Sequence, residues 1–379
     1  MATIEPLAKA LKAIDAFPSS DDESSLLVAA KCRALMRGYH ARWKNAGYIA
    51  LSVEQIYTSP LFNPATQSQS RSFSMAGKID CMAEHNGRTF LIDHKTTSQD
   101  ITDPDSPYWR QLAIEGQVNH YFLLQWLHGV KPDGAVWDVI RKPSISPKKL
   151  SKADAASVLA FGKYCGVSIS KESLDLLVAD QCETVEMYEA RLADDCTNVR
   201  PDWYFQRRPV PRMNHEVVEY ASELWEHAQE MLHTRQRQKQ TKALPPRNSG
   251  ACLFYGSACK FLGICSGHDT ADSDRWQRKQ VVHNELAGDV STDKAALTNS
   301  RVRTFQTCRR KEYYEYELGI ERQDREESEA LYFGTVIHEG LRAWWECFLK
   351  PTENCYDYGA DAAGSESATV PCESSQLAK

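Results

Sequence analysis

Apolar residues recur at helical spacing over residues 5–16 and again over 24–46, which predicts two opening helices, the second capped by Ser24 or Ser25. From Ala50 to Leu61 the period shortens to strand-like pieces, and a polar loop follows at Asn63 to Ser70. The stretch Ser72 to Thr97, SFSMAGKIDCMAEHNGRTFLIDHKTT, holds two β-rich runs on either side of Asn86-Gly87. Asn-Gly suits the two positive-φ residues of a tight hairpin loop, so His85 should face Arg88, and counting outward sets Asp80 opposite Asp93. Ser106 and Pro107 open a helix expected to run to about His128 and stop at Gly129. AVWDVIR, Ala135 to Arg141, alternates as a further strand closed by Pro143. Residues 144–200 read as mixed and mostly helical, Glu216 to Leu232 as an amphipathic helix, and the Gln-, Lys- and Arg-rich run Thr234 to Lys242 as a connector.

The order strand, strand, helix, strand predicts an α/β or α+β core. Composition shifts beyond Gly288. Asp289 to Ala296 reads as a polar linker, and Ser300 to Leu318 and Glu329 to Leu349 as helical segments. Thr352 to Lys379, rich in Ser, Ala, Glu and Gly, is expected to be disordered. The expected organisation is therefore a core over 1–288, a linker over 289–296, a helical segment over 297–350 and a tail over 351–379.

A chain of 379 residues has room for two domains or one large one, and 42% hydrophobic with 25% charged residues excludes a disordered or fibrous protein. Leu26 to Met36, the longest apolar stretch, is broken by Lys31 and Arg33, so no membrane span is expected. The start, MATIEPLAKALKAI, has no signal-type apolar core, and a cytosolic, cytoplasmic location is expected. A net charge of −6 leaves no global positive field, although a local patch of Lys and Arg can still steer a nucleic acid. Twelve cysteines in a cytosolic chain invite a reading other than disulfides, and Cys252, Cys259 and Cys265 sit together as a metal or cluster site would.

The candidate chemistry centres on the hairpin. Two carboxylates facing each other across a strand pair repel, and a cation between them relieves the repulsion. Lys95 shares a strand face with Asp93, while Phe90, Ile92 and His94 point the other way. Asp80, Asp93 and Lys95 thus converge in the arrangement of metal-dependent phosphodiester cleavage. Carboxylates there hold one or two divalent ions that polarise the phosphate and acidify a water, while the lysine orients that water or stabilises charge. Gln117 and Tyr121 fall on one face of the following helix. The plainer alternative is an exposed strand with a salt bridge.

GKID, LIDHKTT and Gln117-x-x-x-Tyr121 resemble the signature motifs of the RecB-like branch of the PD-(D/E)XK nuclease superfamily, and WDVIRKP is similar to a stretch in bacteriophage members. The resemblance implies a restriction-endonuclease-like core, with a mixed central sheet flanked by helices. It implies Mg2+ or Mn2+ on Asp80 and Asp93, a catalytic Lys95, and Gln117 and Tyr121 supporting the site and contacting DNA. ACLFYGSACKFLGIC resembles the cysteine trio of members that carry a 4Fe-4S cluster, such as AddB-type and CRISPR-associated exonucleases, and such a cluster needs a fourth thiolate. Zinc is the chemical rival, although gaps of six and five residues lack the tight knuckle of zinc ribbons.

LTNSRVRTFQTCRRKEYYEYELGI and ALYFGTVIHEGLRAWW resemble the family's N-terminal part. By that resemblance Cys308 is the fourth cluster ligand and His338, in Gly334-x-x-x-His338, a ligand of the divalent metal. HNELAG, His283 to Gly288, looks like a family member's natural end, so the implied order is circularly permuted. The rivals are the start of a second, truncated module or a segment that completes a neighbouring molecule's site. Cys32 is the alternative fourth ligand or else a buried core thiol.

The expected function is a divalent-metal-dependent DNA exonuclease acting on ends or single strands in phage or bacterial recombination, repair or processing. The rival is a non-catalytic DNA-binding or assembly subunit. With no G-x-x-x-x-G-K-[ST] loop, any helicase or recombinase partner would be a separate chain, and with no HExxH a zinc protease is not expected. Trp109, Tyr121, Trp344 and Trp345 are candidates for base stacking, with Trp344 or Trp345 expected in the core. Arg207, Arg208, Arg212, Lys142, Lys148 and Lys149 are candidates for phosphate contact or for a solvated face.

Overall fold

The computed structural model describes residues 5–17, 23–254, 257–283, 286, 294–323 and 328–350. Helices α1 (Glu5–Ala16) and α2 (Glu23–Trp43) lead into strands β1 (Ile49–Phe62), β2 (Gln69–His85) and β3 (Arg88–Thr97). The hairpin turn is the one Asn-Gly demands: Asn86 at φ 52° and Gly87 at φ 73°, with His85 opposite Arg88. Helices α3 (Pro107–Ala113) and α4 (Gly116–Leu127) carry the chain across to β4 (Gly134–Arg141), which pairs parallel with β3. Strand β5 (Phe205–Val210) pairs antiparallel with β4, and helix α5 (Asn214–Thr241) follows.

The sheet order is β1-β2-β3-β4-β5. A sixth strand, β6 (Ala295–Leu297), returns to pair parallel with β2 at Phe73 to Met75. Two-residue alternation sorts side chains to opposite faces. Leu91, Trp137 and Val139 join Leu124 of α4 and Leu224 of α5 on one side, with Phe305 of α6 (Asn299–Thr307). Ile92, Val136 and Ile140 join α1, α2 and α7 (Glu329–Glu346) on the other. The fold class is thus the expected one, a mixed α/β sheet flanked by helices, consistent with a PD-(D/E)XK nuclease core.

Helix α7 is fastened by its apolar face. Trp344 and Trp345 are fully buried, and Gly340 permits close approach, since a Cβ there would stand 3.0 Å from Ile14 Cδ1 of α1. Among the described residues, no helix is long and apolar enough to cross a membrane.

Several boundaries differ from expectation. The helix expected from Ser106 to His128 is two, broken at Ile114 and Glu115, where Glu115 is extended and Gly116, a weak helix former, begins the second. The supposed connector Thr234 to Lys242 is helical as far as Thr241, because its long polar side chains favour helix as readily as coil. Ala295 and Ala296, read as linker, belong to β6. The helix expected over Ser300 to Leu318 stops at Thr307; Cys308 is extended at φ −163°, and a short turn and π-helical segment follow. The tail 352–379, residues 289–293 and most of HNELAG lie outside the described residues.

Candidate active site

β2 and α4 approach closely at Gly77, where a Cβ would lie 2.9 Å from Leu124 Cδ1 and 3.0 Å from Tyr121 Cε1. The β2–β3 ladder runs from His85–Arg88 to Cys81–Ile92 and stops one residue short of Asp80 and Asp93. In place of the next rung, the His94 backbone N–H donates to Asp80 Oδ2 at 2.8 Å. Directly opposed carboxylates repel, and separating the strands here gives Asp80 an amide donor instead.

Asp93 is 1% exposed, and its carboxylate meets Lys95 Nζ at 2.6 Å. Lys95 donates to Gln117 Oε1 at 2.7 Å, and Gln117 Nε2 donates to the Tyr121 hydroxyl at 2.8 Å. The Lys95 ammonium also lies 5.2 Å from the Trp137 ring centroid. Burial raises the Asp93 pKa against the pull of Lys95, and Asp80 raises it further. Apart from the ionic contact with Lys95, neither Asp93 oxygen has an aligned hydrogen-bond donor.

A second group stands beside this one. Glu54, Asp80 and His338 bring ligand atoms within 4.8 Å of one another. Val53 faces Cys81 and Gln55 faces Ile79, so Glu54 comes level with Asp80 on the neighbouring strand. Its φ of 52° is left-handed, uncommon for a residue with a side chain. Lys78 forms an ion pair with Glu54. Burial, then Asp80, raises the Glu54 pKa against the pull of Lys78. Burial lowers the His338 pKa to about 4, which keeps its imidazole neutral at physiological pH, the form a metal ligand requires. These residues line a cleft of about 750 Å³ together with Gln117, Tyr121, Thr298, Arg303 and Gly334.

Carboxylate oxygens and one imidazole form a donor set suited to Mg2+ or Mn2+, and the buried Asp93 carboxylate beside them, held among the described residues by Lys95 alone, fits the same purpose. The structure therefore brings Asp80, Asp93, Lys95, Gln117, Tyr121 and His338 to one region of a single chain. Glu54 escaped the sequence reading. A lone acid on a strand carries no motif, and only the register with β2 reveals it.

Cys252, Cys259, Cys265 and Cys308 line one small cavity, with Phe261 and Leu262 among its walls. The Asn248 backbone N–H donates to Cys308 Sγ at 3.4 Å. Among the described residues, no three of these sulfurs lie within 4.8 Å of one another. Cys32 sits instead in the core between α2 and α7, where burial pushes its thiol pKa up. It is a core thiol, away from the trio.

Most candidate phosphate contacts are occupied in the fold. Arg207 is buried against Asp138, whose carboxylate also accepts from Tyr39 and stands 3.2 Å from His94 Nδ1. Arg208 donates to the Pro104 and Ile101 carbonyls, Arg212 to Asn119 and the Ala113 carbonyl, and Lys142 to the Ala330 carbonyl. Lys148 and Lys149 remain exposed. The indole of Trp109 donates to the Ile101 carbonyl, that of Trp344 to His40 and that of Trp345 to Tyr39, so these three are core.

A family model described as PD-(D/E)XK nuclease superfamily matches residues 296–371, the stretch that carries Cys308 and His338. Asp80, Asp93 and Lys95 lie outside it and reach the same site through the fold. The similarity points to a metal-dependent nuclease, a hydrolase with DNA as substrate and Mg2+ or Mn2+ as its usual metal. No curated protein and no solved structure matches this chain.

Proposed function

We propose that this protein is a divalent-metal-dependent DNA exonuclease of the RecB-like type, with its order circularly permuted and with a 4Fe-4S cluster on Cys252, Cys259, Cys265 and Cys308. The observation that carries the nuclease reading is the meeting of His338, from the matched segment, with Asp80 of the hairpin beside the Asp93–Lys95–Gln117 chain. Asp80, Asp93 and His338 hold the divalent ion. When bound, that ion supplies charge stabilisation at the phosphate and lowers the pKa of an attacking water.

The remaining work falls to side chains. Lys95, anchored by Asp93 and Gln117, presents its ammonium to the reacting phosphate or to the water. Tyr121 accepts from Gln117 and so fixes the amide that aims Lys95. Exonuclease action on ends or single strands, and a cytoplasmic setting in phage or bacterial recombination or repair, rest on the resemblance of the motifs. A separate helicase or recombinase partner rests on it too.

The cluster assignment is supported by the four cysteines lining one cavity. A tetrahedral zinc site would hold its sulfurs about 3.8 Å apart, given Zn–S bonds of about 2.3 Å. The gaps of six and five residues also lack the tight knuckle that a zinc ribbon uses. The permuted order is supported by β6 and α7 packing into the same sheet and core as the hairpin, within one chain.

The test is cleavage of end-labelled DNA with Mn2+ by the purified protein beside Lys95→Ala. Stepwise shortening by the wild type alone is expected. Equal cleavage by both, or binding without cleavage, removes the assignment, the latter in favour of a non-catalytic DNA-binding subunit.

A further inference from the structure

Glu54 is an awkward residue unless it has a task. A left-handed conformation inside a strand is strained for a residue with a Cβ. Its carboxylate is aimed at Asp80, a second negative charge, and at His338. A salt bridge with Lys78 does not require this, because ion pairs of that kind form from any exposed neighbouring position. Across the site the carboxylates of Glu54, Asp80 and Asp93 outnumber the ammoniums of Lys78 and Lys95, so the group keeps an excess negative charge that a divalent ion would cancel.

Lys78 lies two residues from Asp80 on the same strand, and both line the cleft. Its side chain is 36% exposed, while that of Glu54 is 17% exposed. The ammonium therefore sits at the open rim on a flexible stem, free to turn outward, and the carboxylate stays in place.

Resting on the nuclease reading, we propose that Glu54 is a further protein ligand of the divalent ion. Lys78 is the resident cation that the ion displaces, and its released ammonium then takes a phosphate oxygen of the bound strand. Ion and lysine compete for one carboxylate. Metal loading thereby adds a phosphate-binding group at the rim of the cleft.

The competition has a signature that a structural salt bridge lacks. Mn2+ alone, without DNA, is titrated into the wild type, Glu54→Gln and Lys78→Ala, with binding read by calorimetry or by the loss of the free Mn2+ electron-spin-resonance signal. Glu54→Gln is expected to weaken Mn2+ at least about tenfold, and Lys78→Ala to tighten it severalfold. In Ca2+, Lys78→Ala is expected to weaken binding of a single-stranded oligonucleotide and to flatten its salt dependence. Glu54→Asp, which keeps the charge but shortens the reach, should fall between Glu54→Gln and the wild type. Melting curves without metal verify that each variant folds.

Equal Mn2+ affinity in all four proteins, or a shift in the same direction for Glu54→Gln and Lys78→Ala, overturns the inference. With Lys95-dependent cleavage intact, that result leaves the nuclease reading standing. A wild type that binds no Mn2+ at all overturns both.

Discussion

His338 and Asp80 present ligand atoms within 4.8 Å of each other, although one sits on α7 and the other on β2. Their meeting depends on α7 docking through Trp344 and Trp345, so chemistry and core packing share one helix. His338→Gln is expected to weaken Mn2+ at least about tenfold while leaving the metal-free melting temperature within a few degrees of wild type. Calorimetry beside a thermal melt checks this.

The order of the segments is itself testable. A rearranged chain with residues 294–350 placed ahead of residue 5 through a flexible linker is expected to fold, bind Mn2+ and cleave DNA. The same chain lacking 294–350 exposes the surface that Trp344 and Trp345 cover and should be aggregation-prone. Gel filtration and Mn2+ titration distinguish the outcomes.

Asp138 is fully buried, and Arg207 and His94 hold its pKa well below the usual carboxylate range against the opposing effect of burial. A depressed carboxylate contributes stability that is present above its unfolded pKa of about 3.9 and lost as pH falls further. Asp138→Asn strands the Arg207 guanidinium and should cost about 3–5 kcal/mol at neutral pH, with the wild-type advantage shrinking in acid. Denaturant titrations at several pH values measure it.

His120 lies wholly inside the fold. The Ala76 carbonyl can only accept, so Nε2 donates to it at 3.0 Å and Nδ1 accepts from the Tyr220 hydroxyl at 3.0 Å. Burial pulls the His120 pKa down to about 4. The unfolded chain then binds the proton first, from about pH 6.5 downward, so stability falls as pH drops from there toward 4, by about 3 kcal/mol in all. His120→Gln should flatten that part of the stability profile, as urea melts across the range would register.

Cluster chemistry predicts its own pattern. Protein purified without oxygen should be brown and should bleach in air, and Cys259→Ala and Cys308→Ala should lose the colour equally, while Cys32→Ala should keep it. Bleaching should lower the melting temperature, because ligand binding energy there is folding energy. A colourless wild type holding one zinc would replace the cluster with the rival metal.

Much of the site could be read from short stretches of chain. Asn86-Gly87 dictates its hairpin because the turn needs two positive φ values that few residue pairs tolerate. Strand alternation put Asp93 and Lys95 on one side and His94 on the other, where it meets Asp138. These are rules about neighbours, and neighbours are all that a short stretch contains.

What tertiary structure alone decided depends on contacts between distant segments. Glu54 reaches the site because β1 aligns it with Asp80 and because its backbone turns left-handed there. Arg207, exposed in expectation, lies buried because β5 sets it beside Asp138 of β4 and under α2. Cys308 joins the trio because α6 ends where it does. Turns and periodicity are set by torsions and a few residues on either side, whereas a ligand set is assembled by burying large apolar faces. The sequence by itself determined the hairpin and its acids; the docking of α7 and the register of β1 determined what stands beside them.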